Sequence, residues 1–313
     1  MENKFKYSND NKRYHTFSYH LKQKYGCKVA KVSLNAGFTC PNRDGKKGYG
    51  GCIFCSSSGS GDFAGKVEDH LMVQFDKVSA IMKNKWPNCK FMAYFQANTN
   101  TYGSLEEVKA CIEPFLHSDQ VIAIAIATRP DCLPDDIVEY LGNCNKIKDV
   151  WIELGLQSIH EKTSNFINRG HTYDEFLIGL KKLRQVNLPV CVHVMNGLPY
   201  ETVDMMLETV KVVAREDIQA IKIHMLYVIE GTKLGRLYHQ KPFEMLTRDQ
   251  YIDLVVEQLT YIPENIVIER LTGDANIDDL IVPNWSIKKV TILNDIDKQL
   301  ASRNLMQGCN IKK

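Results

Sequence analysis

Long apolar runs are missing from this sequence. The longest is the seven-residue stretch Val121–Ala127, and a bilayer-spanning helix needs about 20 apolar residues, so no membrane helix is expected. The first thirty residues are polar and rich in lysine, with no apolar segment of the kind a secretory leader carries. A cytoplasmic location is therefore expected. No Gly/Ser linker, low-complexity tract or internal repeat interrupts the chain. Nor is there a disulfide framework. Ten cysteines spread unevenly over 313 residues read, in a reducing compartment, as metal or redox chemistry. With 44 % hydrophobic and 24 % charged residues, wholesale disorder is excluded, and the length suits two domains or one α/β barrel.

Strong net charge is also missing, at +2 overall. The distribution is uneven, however: residues 1–50 carry +8, residues 51–280 carry −10 and residues 281–313 carry +4. Basic ends attract polyanions and release their counterions; solubilising lysines on mobile ends are the plainer alternative. Lys12, Arg13, Lys22 and Lys24 are the candidate phosphate contacts. They interleave with Tyr7, Tyr14, Phe17, Tyr19 and Tyr25, which either stack on bases or dock this segment on the fold.

What is present is a rhythm of apolar, β-branched runs separated by helical patterns. Strands are expected at Val29–Leu34, Phe91–Phe95, Val121–Ala127, Val150–Leu156, Val190–Met195 and Ile221–Val228. From the second onward they begin roughly 30 to 40 residues apart, as βαβ units do. Helices are expected at Leu105–Leu116, Pro134–Leu141, Thr172–Val186 and Val203–Arg215. Pro134 suits a first helical turn, and Thr172 with Glu175 reads as a capping box. The pattern predicts a partial (β/α)6 TIM-like barrel, with reactive residues at the C-terminal ends of the strands. Beyond about residue 262 the rhythm breaks. Ile266–Leu271 reads as one more strand and Ile287–Leu300 as a closing helix. The expected organisation is a basic N-terminal extension (1–27), a barrel (28–262) and a C-terminal extension (263–313) packed on it.

The loop after the first strand holds Cys40, then eleven residues, then Cys52-Ile-Phe-Cys55. The segment is Gly-rich and too polar to bury its thiols. Three closely placed thiolates suit an iron–sulfur cluster, or zinc with Cys27 or His70 as a fourth ligand. Three later strand ends carry polar clusters that a core would not choose. They are Gln96-Ala-Asn98-Thr-Asn100-Thr-Tyr102, then Glu153-Leu-Gly155-Leu-Gln157-Ser158 with Asn168-Arg169-Gly170-His171-Thr172, and His193-Val-Met-Asn196-Gly197-Leu-Pro199-Tyr-Glu201.

With these stand Tyr14-His-Thr-Phe17, Thr128-Arg-Pro-Asp131 and Glu269-Arg-Leu-Thr-Gly-Asp274. Together they resemble the radical S-adenosylmethionine (radical SAM) superfamily, and over the whole length the YtqA/YhcC-type family, relatives of the Elongator catalytic subunit. The usual Cys-x3-Cys-x2-Cys loop is lengthened here, which is similar to the Elongator-like branch. Gln96–Asn98 stand where the superfamily has Gly-Gly-Glu.

The resemblance implies a [4Fe–4S] cluster on Cys40, Cys52 and Cys55, with one iron left for the amine and carboxylate of SAM. Reductive cleavage of SAM would then give a 5′-deoxyadenosyl radical. It implies Phe54 beside the adenine, Gln157 and Arg169 among the SAM contacts with Arg169 on the carboxylate, and His193 near the ribose. Gly197 would stand on the adenine side, Glu153 would orient polar groups near the cluster, and Asn98 would lie close by. A lone histidine such as His193 is also an ordinary core residue. The relatives point to tRNA, to maturation of an aminomethyl-type C5 side chain on wobble uridine, and to an electron donor such as flavodoxin or ferredoxin. Only 38 residues follow Ala275, so Elongator-like acetyl transfer is not expected. Two alternatives remain open: a radical SAM enzyme acting on a protein or small metabolite, and a non-catalytic iron–sulfur or zinc module.

Overall fold

The computed structural model describes residues 3–59 and 61–311. Its elements follow the apolar runs. α1 (Phe17–Tyr25), β1 (Val29–Leu34), α2 (Leu71–Lys85), β2 (Lys90–Phe95), α3 (Leu105–Leu116), β3 (Val121–Thr128), α4 (Asp135–Ile147) and β4 (Asp149–Gln157) form the first half. α5 (Glu161–Phe166), α6 (Tyr173–Gln185), β5 (Val190–Asn196), α7 (Val203–Val213), β6 (Ala220–Met225), β7 (Val228–Ile229), α8 (Lys233–Gln240), α9 (Arg248–Thr260), β8 (Val267–Arg270), β9 (Leu280–Val282) and α10 (Lys289–Ser302) complete it.

Seven strands make one sheet in the order β1-β2-β3-β4-β5-β6-β8. β1–β2, β2–β3, β3–β4 and β6–β8 all pair in parallel, with Val29 opposite Lys90 and Ala123 opposite Asp149. Sequential parallel order with intervening helices is the wiring of a partial TIM-like barrel, as the sequence predicts. The run expected as one strand over Ile221–Val228 is broken. β6 stops at Met225, and β7 turns away to pair antiparallel with β9. Pro134 sits at the N-cap of α4 rather than in its first turn. The capping box of α6 forms as expected, with the Thr172 hydroxyl accepting from the Glu175 amide and the Glu175 carboxylate accepting from the Thr172 amide.

The chain divides into two compact units. One, the cysteine-loop unit, comprises Leu21–Leu156 and Arg169–Cys191. Here β2, β3 and β4 bury nearly every residue, because in a barrel-type sheet helices cover the outer face and inward side chains pack on one another. Phe75, Phe91, Phe95 and Phe115 interlock at 5.5–5.6 Å between centroids, Phe75–Phe91 and Phe95–Phe115 edge-on and Phe75–Phe115 tilted.

The other, terminal unit comprises the chain up to His20, Gln157–Asn168 and everything from Val192 onward. Its N-terminal segment is not a separate extension. Phe5 and Tyr14 are buried, and Tyr7 stacks on His15 at 4.4 Å. Gln307, wholly buried, ties the segment to the C-terminal residues. Its side-chain Oε1 accepts from the His15 backbone N–H at 2.8 Å, and its Nε2 donates to the Pro263 and Ile266 carbonyls at 2.7 and 2.8 Å.

Candidate active site

The eleven residues between Cys40 and Cys52 form a small hairpin. Asp44 and Tyr49 make an antiparallel bridge, Gly45 N–H donates to Gly48 O at 3.1 Å, and Gly51 N–H donates to Asn42 O at 2.7 Å. The last bond closes the neck, so residues distant in sequence leave and return at one place. Gly51 takes φ +74° there, and a Cβ would stand 3.0 Å from Arg43 Nε, so the position demands glycine. Arg43 reaches across the neck to the Ser56 and Ser57 carbonyls, and Cys55 N–H donates to Cys52 O at 3.0 Å.

The thiols that this brings together sense one another. A hydrogen bond shared with Cys55, then burial, then the charges of Cys55 and Cys40 push the Cys52 thiol well above its ordinary value, while Arg129 pulls it down. Three thiols gathered beside one buried cation are the donor set that a [4Fe–4S] cluster needs. The zinc alternative finds no fourth ligand in His70, whose Nδ1 accepts from Met72 N–H as the N-cap of α2. Among the described residues, no three His, Cys, Asp or Glu side chains surround a single-ion position.

Arg129 is the residue that motif reading passed over, although Thr128-Arg-Pro-Asp131 was visible at the end of β3. Its Nε and Nη2 donate to the two carboxylate oxygens of Asp131, both at 2.9 Å, and its Nη1 donates to the Arg169 carbonyl at 2.7 Å. Burial opposes its charge, but Asp131 outweighs this and holds its pKa above the ordinary guanidinium value. Burial likewise opposes the Asp131 charge, and Arg129 and Lys47 hold its pKa below the usual range. Lys47, from the hairpin, pairs with Asp131 at 2.9 Å and Glu175 at 2.8 Å. Nearby, burial and then the charges of Arg169 and Arg129 push His171 down to about 3. Burial pushes the neighbouring Cys132 thiol up to about 12.

The turn after β2 offers two acceptors. Asn98 takes φ +57°, and its side-chain oxygen lies over Gly59, where a Cβ would be 1.8 Å away. The Asn100 amide group donates to Phe95, Ala97 and Ala127 carbonyls at 3.0–3.1 Å. Among the described residues, no hydrogen-bond donor meets the buried side-chain oxygens of Asn98 and Asn100. Such oxygens are costly unless a donor arrives, and an ammonium group supplies one. The donor set and these acceptors together fit a cluster-bound amino acid. Glu153, buried at 1 % exposure, has its partner in Lys31 at 2.5 Å. Phe54 is half-buried on the cysteine loop.

Arg169 differs from the sequence expectation. It is the largest fully buried side chain, at 1 % exposure. Its Nε and Nη2 donate to the His171 carbonyl at 3.0 and 2.8 Å, and its Nη1 donates to the Leu156 carbonyl. The guanidinium pins residues 169–171 to the end of β4 instead of being held open for a carboxylate.

In the terminal unit, the rings of His193 on β5 and His224 on β6 lie 5.0 Å apart. Lys222 and Glu269 form a buried pair at 3.3 Å. Gln157 ends β4 at φ +63°, and Gly197 follows β5 at φ +88° with its N–H directed at Met206 Sδ. The expected phosphate contacts do not survive as a set. Lys12 pairs with the buried Asp297. Arg13 is 4 % exposed and directed at Asn304 and Leu305. In the cysteine-loop unit Lys24 pairs with Asp149 at 2.5 Å, and Lys22 stays exposed. Burial of neighbouring aromatics drew the first two inward, so a sequence count of positive charge overstated what solvent sees.

With this geometry in hand, comparison with known proteins is specific. The family model "Radical SAM superfamily" matches residues 38–213, and "Radical_SAM C-terminal domain" matches residues 218–302. The protein YtqA of Bacillus subtilis is 48 % identical over 308 residues, covering 98 % of this chain and 96 % of that protein. A tRNA uridine(34) acetyltransferase of Methanocaldococcus infernus is 27 % identical over 175 residues, which is 55 % of this chain and 32 % of that protein. The solved structure of archaeal Methanocaldococcus infernus Elp3 with an N-terminal deletion superposes with a TM-score of 0.66 at 18 % identity. It covers 89 % of this chain and 64 % of that one, a likeness of fold.

Proposed function

The chain belongs to the radical SAM superfamily, whose enzymes use a [4Fe–4S] cluster and SAM, and on that premise we propose that it matures the C5 side chain of wobble uridine in tRNA. The observation that carries the enzymatic part is the closed hairpin that gathers Cys40, Cys52 and Cys55 beside Arg129. The similarity to a tRNA uridine(34) acetyltransferase over 55 % of the chain supports the substrate.

In this reading Cys40, Cys52 and Cys55 hold the cluster. When bound and reduced, it supplies the electron that splits SAM into methionine and a 5′-deoxyadenosyl radical. The side-chain oxygens of Asn98 and Asn100 would accept from the SAM amine. Phe54 would pack on the adenine, and the family resemblance assigns Gln157, His193 and Gly197 to the ribose and adenine side. Lys31 pairs with Glu153 and fixes its direction. Arg129 balances thiolate charge, and Arg169 keeps the loop beneath it in place. A flavodoxin- or ferredoxin-type protein delivers the electron. The protein's part would be to keep water out and hold one substrate C–H bond beside the bound cofactor.

The test is a nucleoside profile of tRNA from cells lacking the protein. The proposal expects one wobble-uridine nucleoside to vanish and a less mature one to accumulate, with recovery on supplying wild type but not Cys52→Ala. An unchanged profile overturns the tRNA reading and leaves a protein or metabolite substrate.

A further inference from the structure

Tyr200 is 79 % exposed and takes φ +69°, a backbone region that a bulky side chain rarely occupies. Strain of this kind persists only where surrounding structure enforces it. The enforcement is visible on both sides. Leu198 before it is buried at 2 % exposure, and Glu201 N–H donates to Leu198 O at 3.1 Å, closing a tight turn. Glu201 after it is half-buried and accepts from the Ser158 hydroxyl at 2.5 Å. Thr202 then caps α7, accepting from Met205 N–H at 3.3 Å. The ring of Tyr200 is therefore presented by a fastened loop. Phe166, half-buried at the end of α5, meets it edge-on with centroids 5.0 Å apart at 81°. An edge-on neighbour braces one side of the phenol ring and leaves a ring face uncovered.

The core gains nothing from an aromatic so exposed, and glycine would take this conformation without strain. We propose that Tyr200, braced by Phe166, is a stacking platform for a nucleobase of the RNA substrate. The chemistry fits: every base has a π face, and RNA recognition commonly splays unpaired bases onto aromatic side chains. Tyr200 follows the C-terminal end of β5, the end at which barrel enzymes carry their chemistry. This inference rests on the tRNA reading and adds to it a named contact.

The test measures binding of the full-length, cluster-loaded protein to a tRNA anticodon stem–loop carrying either uridine or an abasic site at the wobble position. Tyr200→Gly is expected to weaken binding of the uridine RNA about five- to a hundredfold, and Tyr200→Phe to keep most of it. The thermal midpoint of Tyr200→Gly should hold or rise, because glycine relieves the strained φ; a purely structural role predicts a fall. Wild type should discriminate between the two RNAs by a similar factor, and Tyr200→Gly should not. Unchanged affinity in Tyr200→Gly, or no discrimination by wild type, overturns the platform alone. A wild-type protein that binds neither RNA overturns the platform and the tRNA reading together.

Discussion

Arg129 grips Asp131 at two points, Nε to Oδ1 and Nη2 to Oδ2, each at 2.9 Å, and spends its remaining nitrogen on the Arg169 carbonyl. One side chain thus joins the loop after β3 to the loop before α6. Its charge is felt at the same time by Cys40 and Cys52. Lysine cannot make this three-way contact. Arg129→Lys should lower unfolding stability by about 1–3 kcal/mol, and Arg129→Gln, which leaves Asp131 to Lys47 alone, by about 3–5 kcal/mol. Urea unfolding of the cluster-free proteins under anaerobic conditions checks this; an unmoved Arg129→Lys midpoint would sink it.

Replacing Cys40, Cys52 or Cys55 singly by alanine should remove the cluster's visible absorption and most bound iron and sulfide after anaerobic reconstitution. SAM cleavage should be lost with it. Circular dichroism should stay native, because the hairpin is closed by backbone bonds and not by the thiols. Full iron content in any of the three variants contradicts the assignment.

Arg169→Ala separates two roles. A carboxylate clamp predicts normal stability with weakened SAM binding. The geometry predicts instead a loss of about 2–4 kcal/mol in stability without any SAM, since the Leu156 and His171 carbonyls lose their buried donor. Unfolding of the SAM-free protein beside calorimetry of SAM binding decides between them.

His171 gives a pH signature. Its pKa falls from 6.5 to about 3 on folding, through burial first and then the charges of Arg169 and Arg129. The unfolded chain therefore takes up a proton that the native chain refuses. The stability contributed by neutral His171 is complete above pH 6.5 and declines as pH falls from there toward about 3, by about 1.4 kcal/mol per pH unit. The slope of stability against pH across that window should flatten in His171→Gln. Parallel curves for variant and wild type would refute the linkage.

At the N-terminus, charge reversal should sort residues by burial. Lys12→Glu sets a carboxylate against buried Asp297 and should cost about 3 kcal/mol or more. Lys22→Glu, on the surface, should stay within about 0.5 kcal/mol. RNA binding across a salt series is therefore interpretable with Lys22→Glu, and confounded by unfolding with Lys12→Glu.

Much of this was legible beforehand, for local reasons. β-branched runs such as Val121–Ala127 form parallel strands because their own residues fill both faces, and Thr172 with Glu175, three positions apart, caps α6. What was hidden depends on partners remote in sequence. Lys12 and Asp297 are 285 residues apart, so nothing near Lys12 announces that its charge is neutralised. Arg169 and Arg129 look alike as loop arginines. Only the fold shows that the first is engaged by carbonyls and the second by a carboxylate and thiols. Tyr200 betrays itself through a dihedral angle, which composition does not record.

The hairpin between Cys40 and Cys52 has a consequence for how such chains are found. Because Gly51 N–H and Asn42 O close it at the neck, the approach of the two thiol-bearing ends is set there and not by how many residues the tip holds, while Lys47 in that tip is tied to Asp131 and Glu175. A search pattern written with a fixed count between the first two cysteines would discard this chain. One written on Asn42, Gly51 and the Cys52–Cys55 pair would retain it, because it follows the bond that closes the neck.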